Sequence, residues 1–157
     1  MIRLIAAIDE KQGLATEAGI PWHLPGDVAY FRRRTEGGVV LMGRATYAEF
    51  AGPLENRRNV VLTTSTSTLR PGFERAGDPA GFFADHQADD VWVIGGAAVY
   101  ASTIGRADEL VLTQVLQDFQ CTKFFPAYQE AFVRTDQSAL QEEGGVAYRF
   151  ETWRPKA

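Results

Sequence analysis

Apolar runs recur along the chain at residues 2–8, 39–42, 60–62 and 91–94, each short and closed by Gly, Asn or charged residues. A strand buried on both faces has no polar side to present, so these runs predict the central strands of a largely parallel sheet. Residues 27–35, 44–50, about 79–87 and 97–104 lie between them and read as helices. Strand and helix therefore alternate, which is the α/β pattern. From Glu109 the texture changes to alternating strands at 109–116, 132–138 and 146–153. Gly144-Gly145 marks a turn between the last two, so the sheet is expected to end in an antiparallel hairpin. No internal repeat, low-complexity tract or linker interrupts the chain.

Length changes the picture only by bounding it. The chain has 157 residues, 45% apolar and 23% charged, the size of one domain, expected to span 1–157. At that size roughly two-thirds of the unfolded surface is buried without help from a disulfide or a metal, and none is expected. No apolar run approaches the ~18 residues that a membrane-spanning helix needs. The apolar start is followed at once by Asp9-Glu10-Lys11 and reads as a first strand rather than a targeting segment. Cys121 is the only cysteine, which excludes an internal disulfide and a cysteine zinc cage and makes the cytoplasm the default compartment. A net charge of −4 argues against a nucleic-acid footprint. Of the sixteen basic residues thirteen are Arg, a side chain suited to bidentate capture of carboxylate and phosphate.

Ligands of open α/β sheets sit outside the carboxyl ends of strands, so the turns after the buried runs come first. Gly43 follows 39–42 and opens a helix with Arg44-Ala45-Thr46; Gly95-Gly96 follow 91–94 and open a helix at Ala97. Helix N-termini offer unpaired N–H groups and positive dipole, and Gly lets an anion approach them. If the two strands are neighbours, the pair seats a diphosphate with Arg44 beside it. Glycine also serves simply to permit tight turns, and the residues alone leave both readings open. A second focus is Asp27, just after Trp22 and Pro25, in a first helical turn with Phe31 on its own face and Val28 and Arg32 on the next stripe. A carboxylate there also acts as a dipole-matched cap. Thr113, however, lies on a strand face with Val111 and Val115, where a hydroxyl has no apolar reason to be.

The runs Ile5-Ala6-Ala7, Pro21-Trp22-His23-Leu24-Pro25-x-Asp27, Phe31, Met42-Gly43-Arg44-x-Thr46-Tyr47, Pro53-Leu54-x-x-Arg57-x-Asn59-Val60-Val61-Leu62, Val93-Ile94-Gly95-Gly96-x-x-Val99-Tyr100, Leu112-Thr113 and Phe125-Pro126 stand in order over nearly the whole chain. Together they resemble the bacterial dihydrofolate reductase family. The resemblance implies an α/β domain with a central, mostly parallel eight-stranded sheet, an antiparallel C-terminal hairpin and flanking helices. It implies an oxidoreductase that reduces 7,8-dihydrofolate with NADPH, and a cytoplasmic monomer is the simplest expectation. The catalytic group would be Asp27, with Thr113 bridging to it and Trp22 fixing a water. Ile5, Ala6, Val28, Phe31, Arg32, Phe50, Leu54, Ile94 and Tyr100 would contact substrate, and Arg57 would pair with its α-carboxylate. NADPH would lie along Ala7, Leu14, Ala15 and Ile20, then Gly43, Arg44, Ala45 and Thr46, then Gly95, Gly96, Ala97, Ala98, Val99 and Tyr100. Leu62, Thr63 and Thr64, with Arg75, would border the adenosine, Thr64 joining Arg44 at its 2′-phosphate. Val28, Ile94 and Tyr100 would also admit a diaminopyrimidine antifolate.

The chain departs from the family pattern at Leu14-Ala15, where Ile-Gly is usual, and at Cys121-Thr122-Lys123, where Gly-Asp-Thr is common. Closure of the 13–20 loop is therefore expected to be differently balanced. Glu49 and Gly52 replace the commoner Ser and Arg at the edge of the substrate tail, which implies weaker binding of the glutamate tail. Two rivals stay in view: the same-fold reductase of riboflavin biosynthesis, and a silent nucleotide- or folate-binding module.

Overall fold

Eleven strands and four α-helices alternate in the computed structural model, which describes residues 1–157. In chain order they are β1 (Ile2–Ile8), β2 (Gly13–Ala15), α1 (Pro25–Thr35), β3 (Val39–Met42), α2 (Arg44–Glu49), β4 (Arg58–Leu62), β5 (Phe73–Ala76), α3 (Pro79–Asp85), β6 (Val91–Val93), α4 (Ala97–Thr103), β7 (Glu109–Val115), β8 (Lys123–Phe124), β9 (Phe132–Gln137), β10 (Gln141–Glu143) and β11 (Val146–Pro155). Strands β5, β4, β3, β6, β1 and β7 lie side by side and parallel. β11 then runs antiparallel to β7. β10 pairs with residues 146–148 of β11 and β9 with residues 151–155, both antiparallel and both on the edge away from β7. They lie end to end, so nine strands fill the eight expected positions. The turn of the β10–β11 hairpin is Gly144-Gly145, both at positive φ.

The buried runs behave as double-sided strands must. Leu4, Leu41 and Val93 stand in register across β1, β3 and β6 and face Phe82, Phe83, Val99 and Tyr100 from α3 and α4. Their neighbours Ile5, Val40 and Trp92 point to the other face, where Tyr47 of α2 joins them and Tyr30 and Phe31 of α1 pack against the cluster. Each fully buried Leu, Ile or Val removes enough apolar surface to contribute roughly 1.5–3 kcal/mol, so both faces hold the sheet.

Helix α1 begins at Pro25, two residues before the expected start, because proline suits a first helical position. Arg32, Arg33 and Arg34 fill its last turn, matching the dipole. Tyr30 stacks on Phe150 of β11 at 3.8 Å between centroids, pinning the helix over the antiparallel end of the sheet. No helix is long and apolar enough to cross a membrane.

Candidate active site

The two glycine turns meet. β3 and β6 are adjacent and parallel, and the Gly43 N–H donates to the Gly95 carbonyl at 2.8 Å. Gly43 and Gly96 stand at the N-termini of α2 and α4, and neither helix has a side-chain cap, so their first N–H groups remain available to a ligand. The approach is close enough that a Cβ on Gly43 would lie 2.7 Å from Val99 Cγ2. Thr46 flanks Gly95, Arg44 is exposed at the mouth, and Ala98 is exposed beyond Ala97 on α4. Thr63 is buried at the end of β4, and Thr64 beside it is exposed. Arg75 is turned away, donating to the Ser67 carbonyl, and Tyr100 donates to the Ile5 carbonyl at 2.6 Å. Full burial pushes the Tyr100 phenol well above its ordinary pKa, so it serves as a fixed donor rather than an acid.

On the other side of β1, Thr113 Oγ1 donates to Asp27 Oδ1 at 2.5 Å, joining β7 to α1. Burial raises the Asp27 pKa; the Thr113 bond opposes that, and the charge of Glu143 adds to it. Trp22 is buried against Leu24, Val115 and Tyr148 and meets Phe119 edge-on at 5.4 Å. Phe31, Phe50, Leu54 and Ile94 all pack against the Ile5 side of the sheet and form one apolar wall. Val28 stands half exposed at its rim. Ala6 points to the opposite face, among the α4-side residues, so its side chain is not part of that wall.

Arg57 is held rather than solvated, its side chain 6% exposed. Nε donates to Thr35 Oγ1 at 2.9 Å, Nη1 to the Glu55 carbonyl and Nη2 to the Arg32 carbonyl. Its neighbour Arg58 faces away and pairs with Glu74 across β4 and β5.

The segment carrying Leu14 and Ala15 is strand β2, paired with β8. Ala15 is extended there and accepts the Thr122 N–H at 2.9 Å, while Thr122 Oγ1 donates to Glu17 Oε1 at 2.9 Å. The carboxylate missing at 122 is thus supplied from the other partner. Ile20 ends the segment with 64% exposure. Sequence reasoning missed Glu17 in this role, and also Asp9. Asp9 is fully buried and accepts N–H bonds from Lys11, Gly13 and Phe119, tying the loop's first residues to the β7–β8 connection. Burial raises its pKa, but the three backbone bonds and the Cys121 thiol outweigh that and hold it below the ordinary value. The same surroundings push the Cys121 thiol up to about 11, so it stays protonated. The available signal for Asp9 was an acid placed directly at the end of an apolar strand.

This geometry has relatives. The dihydrofolate reductase family profile matches residues 1–155. A dihydrofolate reductase of Bacillus subtilis is 30% identical, over 99% of this chain and 95% of its own. The dihydrofolate reductase HdrB of Haloferax volcanii is 36% identical, over 92% of this chain and 81% of its own. A solved dihydrofolate reductase from Enterococcus faecalis, in complex with NADP(H) and RAB-propyl, superposes with a TM-score of 0.90 at 25% identity, over 100% of this chain and 97% of its own. With the family profile spanning both the glycine turns and the Asp27–Thr113 pair, the chain belongs to the dihydrofolate reductase family.

Proposed function

We propose that the protein reduces 7,8-dihydrofolate to 5,6,7,8-tetrahydrofolate with NADPH, moving hydride to C6 and a proton to N5, in support of one-carbon metabolism and thymidylate synthesis. The observation that carries this reading is the part-buried Asp27–Thr113 pair at the rim of an apolar wall, with the paired glycine turns across β1. The residues fit the cofactor: two uncapped helix N-termini for a diphosphate, and exposed Arg44 and Thr64 for a further phosphate. When bound, NADPH supplies the hydride. Gly43 to Thr46 and Gly95 to Tyr100 hold the diphosphate, Leu62 and Thr63 border the adenosine, and Ala7, Leu14, Ala15 and Ile20 close over the nicotinamide and exclude water.

On the substrate side Asp27 accepts the pterin N–H groups and Thr113 braces its carboxylate. Trp22 positions a water that delivers the proton, while the carboxylate makes N5 more basic. Phe31, Phe50, Leu54, Ile94 and Val28 wall the ring and benzoyl group, Ile5, the Ala6 backbone and Tyr100 border the ring, and Arg57 with Arg32 takes the glutamate. All these residues come from one chain, so a monomer spanning 1–157 suffices. A lone cysteine with no disulfide partner fits a reducing cytoplasm. The test is NADPH oxidation with dihydrofolate, followed by loss of near-ultraviolet absorbance. Turnover on the order of 1–10³ s⁻¹ is expected. NADPH binding without oxidation would instead mark a silent binding module.

Loop closure gives a smaller expected effect. A single hydrogen bond between exposed side chains is worth about 1 kcal/mol, or about fivefold. Thr122→Val removes the hydroxyl bond to Glu17 and is expected to slow single-turnover hydride transfer about fivefold while NADPH affinity barely changes. A wild-type rate in that variant would show that the Thr122 side chain has no part in closure.

A further inference from the structure

Helix α1 carries Asp27 but caps itself poorly. Its N-cap residue is Leu24, which offers no side-chain acceptor, and Pro25 has no N–H. The Asp27 and Val28 amides turn back to the Leu24 carbonyl. The remaining donor of that turn, the Gly26 N–H, is taken by a carboxylate 117 residues away: Glu143 Oε1 on β10, at 2.9 Å. The same oxygen accepts the Tyr148 hydroxyl from β11 at 2.7 Å. Glycine at 26 allows this close approach, since a Cβ there would lie 2.5 Å from the Tyr148 oxygen and 2.9 Å from Glu143 Oε1 and would push both side chains back.

We propose that Glu143 is a positioning residue for Asp27, holding the helix turn that carries it and placing a second negative charge beside its carboxylate. The inference rests on the reading of Asp27 given above. A carboxylate at a helix N-terminus is stabilised by the dipole, which explains why Glu143 stays beside another acid. The groups facing Asp27 are Thr113 from β7, Glu143 from β10 and Tyr148 from β11. Neither Asp27 nor Glu143 makes an ion pair, so no cation cancels the repulsion. Burial and the two acids push the Tyr148 phenol up to about 12, which keeps it a donor to Glu143 throughout the working range.

The consequence is a separable effect of geometry and charge. Each negative charge near the site makes a proton easier to hold, whether that proton is counted on Asp27 or on the bound pterin. Glu143→Gln keeps an oxygen to accept from Gly26 and Tyr148 but removes the charge. Glu143→Ala removes both.

The experiment is single-turnover hydride transfer, enzyme preloaded with NADPH and mixed with dihydrofolate, from about pH 5 to about pH 9. Glu143→Gln is expected to keep the low-pH plateau while its midpoint moves down by about half a unit. Glu143→Ala is expected to show the same midpoint shift and a plateau lowered at least about fivefold, since the bonds from Gly26 and Tyr148 are both lost and each is worth about 1 kcal/mol. Tyr148→Phe, which keeps the charge, tests the brace separately if the alanine variant unfolds, with a lowered plateau and an unmoved midpoint. A purely structural Glu143 would not move the midpoint, so a wild-type midpoint in Glu143→Gln overturns the proposal. If Asp27→Asn is crippled while Glu143→Gln titrates like wild type, only this inference fails. If Asp27→Asn is fully active, the reading of Asp27 fails and this inference with it.

Discussion

Asp27→Asn is expected to cut hydride transfer about a thousandfold near neutral pH, within the 10²–10⁴ range of a lost acid–base group. Asparagine fills the same volume, and its amide oxygen still accepts the Thr113 hydroxyl, so the wall and the helix should stay in place. What disappears is the negative charge that makes N5 basic. The loss should therefore be worst at neutral and higher pH and shrink on acidification, as solvent protonates the substrate unaided. Stability should move the opposite way. The Asp27 pKa is raised, chiefly by burial, so the folded state holds its anion less readily than the unfolded chain does. Above the ordinary aspartate pKa that difference is a penalty, and below it the penalty vanishes. The variant should then melt at a higher temperature than wild type at neutral pH and at the same temperature in acid. A rise in Tm with a loss of turnover would show that the carboxylate is kept for chemistry against a folding cost. An equally active variant would remove Asp27 from the reaction.

How much of this was legible in the chain depended on whether the signal was local. β1, β3 and β6 could be read because strands covered on both faces need apolar side chains at every position, as in Val39 to Met42. β5 could not. It is an edge strand of four residues whose Glu74 and Arg75 are exposed, and its place is fixed by pairing with β4 and by the Arg58–Glu74 contact. β2, β8 and β10 have two or three residues each, too few for a period. The site divides along the same line. The glycine turns and the acid at the start of α1 are local patterns, and Thr113 showed as a hydroxyl among valines. Glu143 and Glu17 are surface-type residues in the sequence and acquire meaning only through partners 117 and 105 positions away. The expected chemistry of Thr122 shows the limit well. Its missing carboxylate was visible, but the compensating one on Glu17 required the β2–β8 register.

Arg57→Leu is expected to raise the KM for dihydrofolate about a hundredfold and to leave kcat and the KM for NADPH nearly unchanged. The guanidinium has five N–H donors and spends three on Thr35, Glu55 and Arg32. One N–H remains on each terminal nitrogen, the geometry for gripping a carboxylate at two points. Glu36, 54% exposed, comes within 3.3 Å of Nη2, and the substrate's α-carboxylate must compete with it there. Hydrogen bonds to charged groups contribute ~1.5–3 kcal/mol, and each 1.4 kcal/mol is tenfold, which places the loss between about tenfold and somewhat over a hundredfold. The upper end applies because the side chain is buried and already held, so little conformational entropy is lost on binding. Leucine leaves no buried orphan behind: Thr35 Oγ1 still donates to the Phe31 carbonyl, and the Glu55 and Arg32 carbonyls meet Arg57 at exposed positions where water replaces it. The glutamate lies far from C6 and N5, so its grip is the same in the ground and transition states and appears in KM rather than kcat. A substrate lacking the glutamate separates this from a general disturbance of the site. Wild type should prefer dihydrofolate to dihydropteroate by about the factor that Arg57→Leu loses, and the variant should treat the two alike. A variant that still discriminates between them would place the carboxylate on Arg32 or elsewhere.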